Sequence, residues 1–162
     1  MSTQLLRARA GDITAQMEAV AAKENTPVDE VCALLASGRA VLPANPAHTK
    51  LDPVIVGRRF RTKVNANLGR SADKSCLDEE RAKVTTALAA GADFVMDLSV
   101  GPELGDLRRG LLEICPAPFG TVPIYEALSR IDGDTDAITA DLLLTVVRDQ
   151  AEQGVDFMTI HA

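Results

Sequence analysis

Between Thr62 and His161 one pattern recurs: a short apolar strand, a turn, a helix, then the next strand, at a spacing of about thirty residues. That repeat is the mark of βαβ units and commits this part of the chain to a parallel sheet covered by helices. The strand-like stretches are Thr62 to Asn67, Phe94 to Leu98, Pro118 to Val122 and Asp156 to His161. Helical stretches lie between them: Leu77 to Ala90, stopped by Gly91, then Leu104 to Ile114, Ile124 to Arg130, and Thr139 to Gln153, stopped by Gly154. Two α/β architectures fit, a doubly wound open sheet or part of a (β/α)8 barrel of the TIM type. No G-x-G-x-x-G follows any of these strands, which favours the barrel.

The residues before this repeat read differently. Thr14 caps a predicted helix running to Lys23, a second helix begins after Pro27 and stops at Gly38, and Arg39 to Leu42 is extended. The expected organisation is a helical and extended lead-in over 1–61 and a partial barrel over 62–162. Aromatics make up only 3% of the chain, so the core must be built from Ala, Val, Leu and Ile. A net charge of −6 argues against a nucleic-acid partner, which would require a basic face. No apolar run is long enough to span a membrane, and the first residues lack an apolar core of signal-peptide length, so the expected location is cytoplasmic. Cys32, Cys76 and Cys115 form no C-x-x-C pair, and with only His48 and His161 beside them the chain is short of ligands for a closed metal site.

Barrel enzymes place their working side chains at the C-terminal ends of the strands. Here those ends carry Asn67, Met96 with Asp97, Tyr125 and His161. Asn67 to Met96 and Met96 to Tyr125 are both 29 residues, and Tyr125 to His161 is 36, so one βα repeat separates each from the next and all four share a rim. Only four strands are present, however, and an arc of four leaves two open edges. The chain is therefore expected to be a piece of a longer protein.

Four ordered blocks carry a resemblance: Lys63-Val64-Asn65-Ala66-Asn67-Leu68-Gly69, Val95-Met96-Asp97-Leu98-Ser99, Gly120-Thr121-Val122-Pro123-Ile124-Tyr125, and Gln150 to Asp156 followed by Thr159-Ile160-His161-Ala162. Together with Gly38-Arg39-Ala40 and Leu42-Pro43-Ala44-Asn45, they resemble the phosphomethylpyrimidine synthase (ThiC) family over nearly the whole chain. The resemblance implies a (β/α)8 barrel and a non-classical radical S-adenosylmethionine lyase of thiamine biosynthesis. That lyase converts 5-aminoimidazole ribonucleotide into 4-amino-5-hydroxymethyl-2-methylpyrimidine phosphate. It further implies a [4Fe-4S] cluster, zinc and a homodimer for the complete protein. Asn67, Met96, Tyr125 and His161 fall on positions that contact the imidazole ribonucleotide. No catalytic residue is assigned.

The family's later motifs, Ser-Arg-Gly, Asp-Gly-Leu-Arg, two metal-binding histidines and a C-x-x-C-x-x-x-x-C triplet, are not in this sequence, and the three cysteines present do not replace the triplet. As it stands the chain is expected to be inactive. The paralogue 5-hydroxybenzimidazole synthase, which uses the same ribonucleotide for the lower ligand of anaerobic cobamides, shares these blocks. A non-catalytic ribonucleotide-binding fragment is the third reading. Among the remaining residues, Asp97 and Ser99 read equally as loop caps or ligand contacts. The basic run Arg58, Arg59, Arg61 and Lys63 reads as a solvated edge ahead of an attractor for a ribonucleotide phosphate, Cys76 as a surface thiol ahead of one activated by the helix N-terminus, and His48 carries no chemistry that the sequence reveals.

Overall fold

Threonine hydroxyls start the first two helices. Thr3 accepts from the Leu6 amide and Thr14 from the Met17 amide, both at 3.2 Å, satisfying N–H groups that the first turn leaves without partners. The helices that follow are α1 (Gln4–Arg9), α2 (Ala15–Lys23) and α3 (Val28–Ala36), with Pro27 as the residue before α3. The computed structural model describes residues 3–71 and 76–161. It divides into two compact units, Met1–Ala44 with Asp52–Lys63, and Asn45–Leu51 with Val64–Ala162. Residues 45–51 thus group with the second unit, although they lie well before the boundary expected from sequence.

The first unit joins the three helices to a two-stranded antiparallel ladder, β1 (Ala40–Val41) with β2 (Val56–Gly57). Its core is Met17, Val20, Val31, Leu35, Leu42, Ile55 and Phe60, with Ala8, Ala21 and Ala40 filling the gaps. The basic run is not uniformly solvated. Arg59 makes an exposed pair with Glu30 at 2.8 Å, but the Lys63 ammonium is buried, 2.7 Å from Glu24 Oε1 and donating to the Arg61 carbonyl.

The second unit is a four-stranded parallel sheet of β3 (Asn65–Leu68), β4 (Phe94–Asp97), β5 (Phe119–Thr121) and β6 (Phe157–Met158), in that order. Strand order follows chain order, with no reversal of the kind that marks the switch point of a doubly wound sheet. The crossovers are α4 (Leu77–Ala89), α5 (Leu104–Leu112), and the pair α6 (Pro123–Arg130) and α7 (Ala140–Gln153) with a 3-10 turn at Thr135–Ala137 between them. Pro123 suits the first turn of α6 because it has no N–H to satisfy there. Thr139 caps α7, and Gly154 ends it at φ 112°, in the left-handed region.

Strand side chains alternate between two faces. Leu68, Val95 and Phe119 point to the helices and form a core with Val84, Leu104, Leu107, Leu111 and Leu112. The opposite face follows from the register. Asn65 pairs with Phe94, Asn67 with Met96, Met96 with Gly120, and Gly120 with Phe157. Gly120 is required here, because a Cβ at that position would enter the Phe157 ring. With no side chain in the way, Phe157 lies across β5 and meets Phe94 edge-to-face at a centroid distance of 5.4 Å.

Candidate ligand-binding site

The C-terminal ends of β3 and β4 are laced together by their own loops. Leu98 N donates to Leu68 O at 2.8 Å, Arg70 N to Ser99 Oγ at 3.0 Å, and Val100 N to Arg70 O at 3.1 Å. Asp97 is buried and caps the turn by accepting from the Ser99 amide at 2.9 Å. Burial pushes its carboxyl above the ordinary range, against the Ser99 bonds and the Arg108 charge, which pull it down. Asp97 therefore caps its loop, as one of its two readings has it, and the Ser99 hydroxyl holds the neighbouring loop through Arg70 N. Gly69 sits where the loops touch. A Cβ there would lie 2.7 Å from both the Leu98 carbonyl carbon and the Ser99 nitrogen, which are backbone atoms unable to rotate aside. Gly69→Ala is expected to cost about 1–3 kcal/mol, read as a lowered denaturation midpoint with an unchanged slope.

This lacing sets Asn67 and Met96 beside each other as direct cross-strand partners. Asn67 is exposed, and its Oδ1 accepts from Asn65 Nδ2 at 2.7 Å. Met96 is half-buried, with its sulfur 3.8 Å from the Thr159 hydroxyl. Thr159 N in turn donates to Thr121 O at 2.9 Å, which carries the chain past the end of β6 toward His161. Tyr125 stands in the first turn of α6, its ring centroid 6.4 Å from that of His161, with the rings tilted by 31°. The four residues selected from sequence thus form two contacting pairs, Asn67 with Met96 and Tyr125 with His161. Thr159 touches the first pair and lies two residues before His161. Tyr125 also lines a cavity of about 390 Å³ with Val100, Pro102, Leu128 and Ser129, a volume within the range of ligand pockets.

A polar network lies behind Tyr125. Glu126 is buried and accepts from Gln150 Nε2 at 2.8 Å, from Arg130 at 2.7 Å, and from Arg108. Gln150 Oε1 accepts from the Thr121 hydroxyl at 2.6 Å. Burial works to raise the Glu126 pKa, but the bonds from Gln150, Arg130 and Arg108 hold it below the usual carboxylate value. One carboxylate so ties α5, α6 and α7 together.

At the opposite ends of β5 and β6, His48 is buried. Its Nδ1 lies 2.6 Å from Asp156 Oδ2 and its Nε2 2.7 Å from Cys115 O. Asp156 also accepts from the Asn45 and Phe119 amides, each at 2.8 Å. Sequence reasoning missed this cluster.

The cysteines do not form a cluster site. Cys115 is buried, donates to Ala117 O, and has its thiol pushed up to about 11 by burial, the reverse of what a thiolate ligand needs. Cys32 faces Ala8 O, and Cys76 is exposed at the start of α4. Among the described residues no three His, Cys, Asp or Glu side chains gather as a metal site, and no helix is long and apolar enough to cross a membrane. The residues here fit neither an iron–sulfur cluster nor zinc.

The fold is that of an α/β protein with a parallel four-stranded sheet whose strand order follows chain order. Residues 3–162 match the model of the radical SAM ThiC family, and the chain belongs to that family. It is 52% identical over 162 residues to phosphomethylpyrimidine synthase of Natronomonas pharaonis, covering all of this chain and 34% of that protein. The phosphomethylpyrimidine synthase of Halobacterium salinarum is 51% identical over the same 162 residues, again 34% of its length. That of Haloarcula marismortui is 50% identical over 160 residues, which is 99% of this chain and 33% of the relative. The chain thus spans about a third of the length of the curated relatives it matches.

Proposed function

We propose that this chain is the first third of a phosphomethylpyrimidine synthase and forms one half of its (β/α)8 barrel, with a ribonucleotide bound at the strand ends. The observation that carries this reading is that Asn67 pairs with Met96, and Tyr125 with His161, in a protein whose sheet has its strands in chain order. Each side chain suits 5-aminoimidazole ribonucleotide. The Asn67 amide reads a ring edge or a hydroxyl, and Met96 gives an adaptable apolar surface for the ring. The Tyr125 hydroxyl and the His161 imidazole suit ribose or phosphoryl oxygens. S-adenosylmethionine and a [4Fe-4S] cluster would supply the radical chemistry in the complete enzyme, and no group of metal ligands gathers among the described residues of this chain. What this chain contributes is binding and orientation of the ribonucleotide at one half of the rim.

Isothermal titration of the complete synthase with 5-aminoimidazole ribonucleotide, without cluster or S-adenosylmethionine, tests the reading. Tyr125→Phe and His161→Gln are each expected to weaken binding about 5- to 10-fold, the size of one hydrogen bond to a polar or charged ligand group. Melting temperature should not change, since His161 is exposed and Tyr125 only half-buried. Unchanged affinity in both variants would sink the assignment.

A further inference from the structure

Asn65 and Asn67 are two residues apart on β3, so their side chains share one face. Asn65 is also exposed, and its cross-strand partner is Phe94, whose ring has no oxygen or nitrogen to bond an amide. Its Nδ2 donates instead along the strand to Asn67 Oδ1 at 2.7 Å, a short and well-formed hydrogen bond.

An asparagine amide left to itself can present either end to a ligand, the carbonyl as acceptor or the NH2 as donor. The bond from Asn65 occupies one lone pair of the Asn67 oxygen and fixes which way the amide is turned. With its oxygen facing Asn65, Asn67 has its NH2 group turned away from Asn65 and able to donate.

We propose that Asn65 is a positioning residue that sets the amide of Asn67, so that the ligand atom met by Asn67 is a hydrogen-bond acceptor: a phosphoryl or ribose oxygen, or an unprotonated ring nitrogen. This deepens the ribonucleotide reading and rests on it. Asn65 does not touch the ligand, and its effect passes through Asn67. The N-x-N spacing within the first matched block thereby acquires a physical reason, since a spacing of two is what places both amides on one strand face.

A double-mutant cycle on the complete synthase tests the proposal, with 5-aminoimidazole ribonucleotide and its dephosphorylated nucleoside as probes in calorimetric titrations. Asn65→Ala is expected to weaken binding about 5-fold and Asn67→Ala about 10-fold, with the double variant no weaker than Asn67→Ala alone. A residue with a merely structural role would multiply the two losses. Asn65→Asp replaces the donor by an acceptor of the same shape and turns Asn67 around. Where the acceptor is on the ribose or the ring, the uncharged nucleoside removes charge repulsion of the phosphate, and Asn65→Asp should cost more there than Asn65→Ala. If the Asn65→Ala loss persists on the nucleoside, the acceptor lies on the ribose or the ring; if it disappears, the acceptor is the phosphate. Unchanged affinity in Asn65→Ala, or multiplicative losses in the double variant, would overturn the proposal. Absence of binding by the unmodified synthase would overturn the ribonucleotide reading itself, and the proposal with it.

Discussion

Replacing Asp156 with alanine is expected to destabilise the second unit by about 3–5 kcal/mol, the usual cost of removing one partner from a buried ion pair. The ring nitrogens of His48 face a carboxylate and a carbonyl, both of which accept, so the geometry favours the doubly protonated, cationic imidazole. His48 and Asp156 side chains are 1% and 0% exposed, so the charge left behind would find no water. The Asn45 and Phe119 amides would lose their acceptor as well. The sign of the pH dependence follows. Burial pushes the His48 pKa down, but the hydrogen bond and charge of Asp156 and the Cys115 carbonyl bring it above the ordinary imidazole value. Stabilisation from the raised pKa is therefore complete below about pH 6.5 and is lost as pH rises through the folded value. Denaturant titrations across pH 6–9 should show the unmodified chain weakening toward alkaline pH, while His48→Gln lacks that slope. A difference between the two that grew with pH would refute the protonated pair.

Much of this was legible before any coordinates. Thr14, Thr139 and Gly154 announce helix ends by local chemistry, and those ends fall where expected. The equal spacing of Asn67 and Met96 equals one βα repeat, and in the sheet the two residues are register partners. Boundaries were less faithful. The first strand was expected from Thr62 but begins at Asn65, and the last was expected to reach His161 but pairs only over Phe157–Met158. The last strand has a hydrogen-bonded neighbour on one side alone, so apolar alternation there outruns the ladder. The short helix α1 was missed because six residues give too little periodicity to register. His48 was missed for a different reason. Its partners are 108 and 67 residues away in sequence, and no local pattern encodes a contact of that separation. Asn65 lay in plain sight, but its role needed the hydrogen bond to be seen.

The second large effect lies behind Tyr125. Glu126→Leu should cost about 3–5 kcal/mol, because Arg108, with 3% of its side chain exposed, would keep its charge and lose its carboxylate. Gln150 would lose an acceptor at the same time, and through Thr121 the disturbance would reach β5. Removing both charges is a different matter. Arg108→Met with Glu126→Leu leaves an apolar pair in place of the ions, and buried pairs replaced in this way often lose little stability. The double variant should therefore be more stable than Glu126→Leu alone, with a coupling energy above about 1 kcal/mol in a denaturant-based cycle. Acid gives an independent reading. Because the Glu126 pKa is lowered on folding, its contribution is full above the ordinary carboxylate value and is lost as pH falls through the folded value. Glu126→Leu should accordingly lose part of the acid sensitivity of the parent chain. Glu126 follows Tyr125 directly in the first half of α6, so loosening its anchors frees the turn that carries the tyrosine. On the proposed function, ribonucleotide binding in Glu126→Leu should then weaken together with stability. Recovery of stability in the double variant without recovery of ribonucleotide affinity would separate the two, and would assign to the carboxylate itself the task of holding Tyr125 in register with His161.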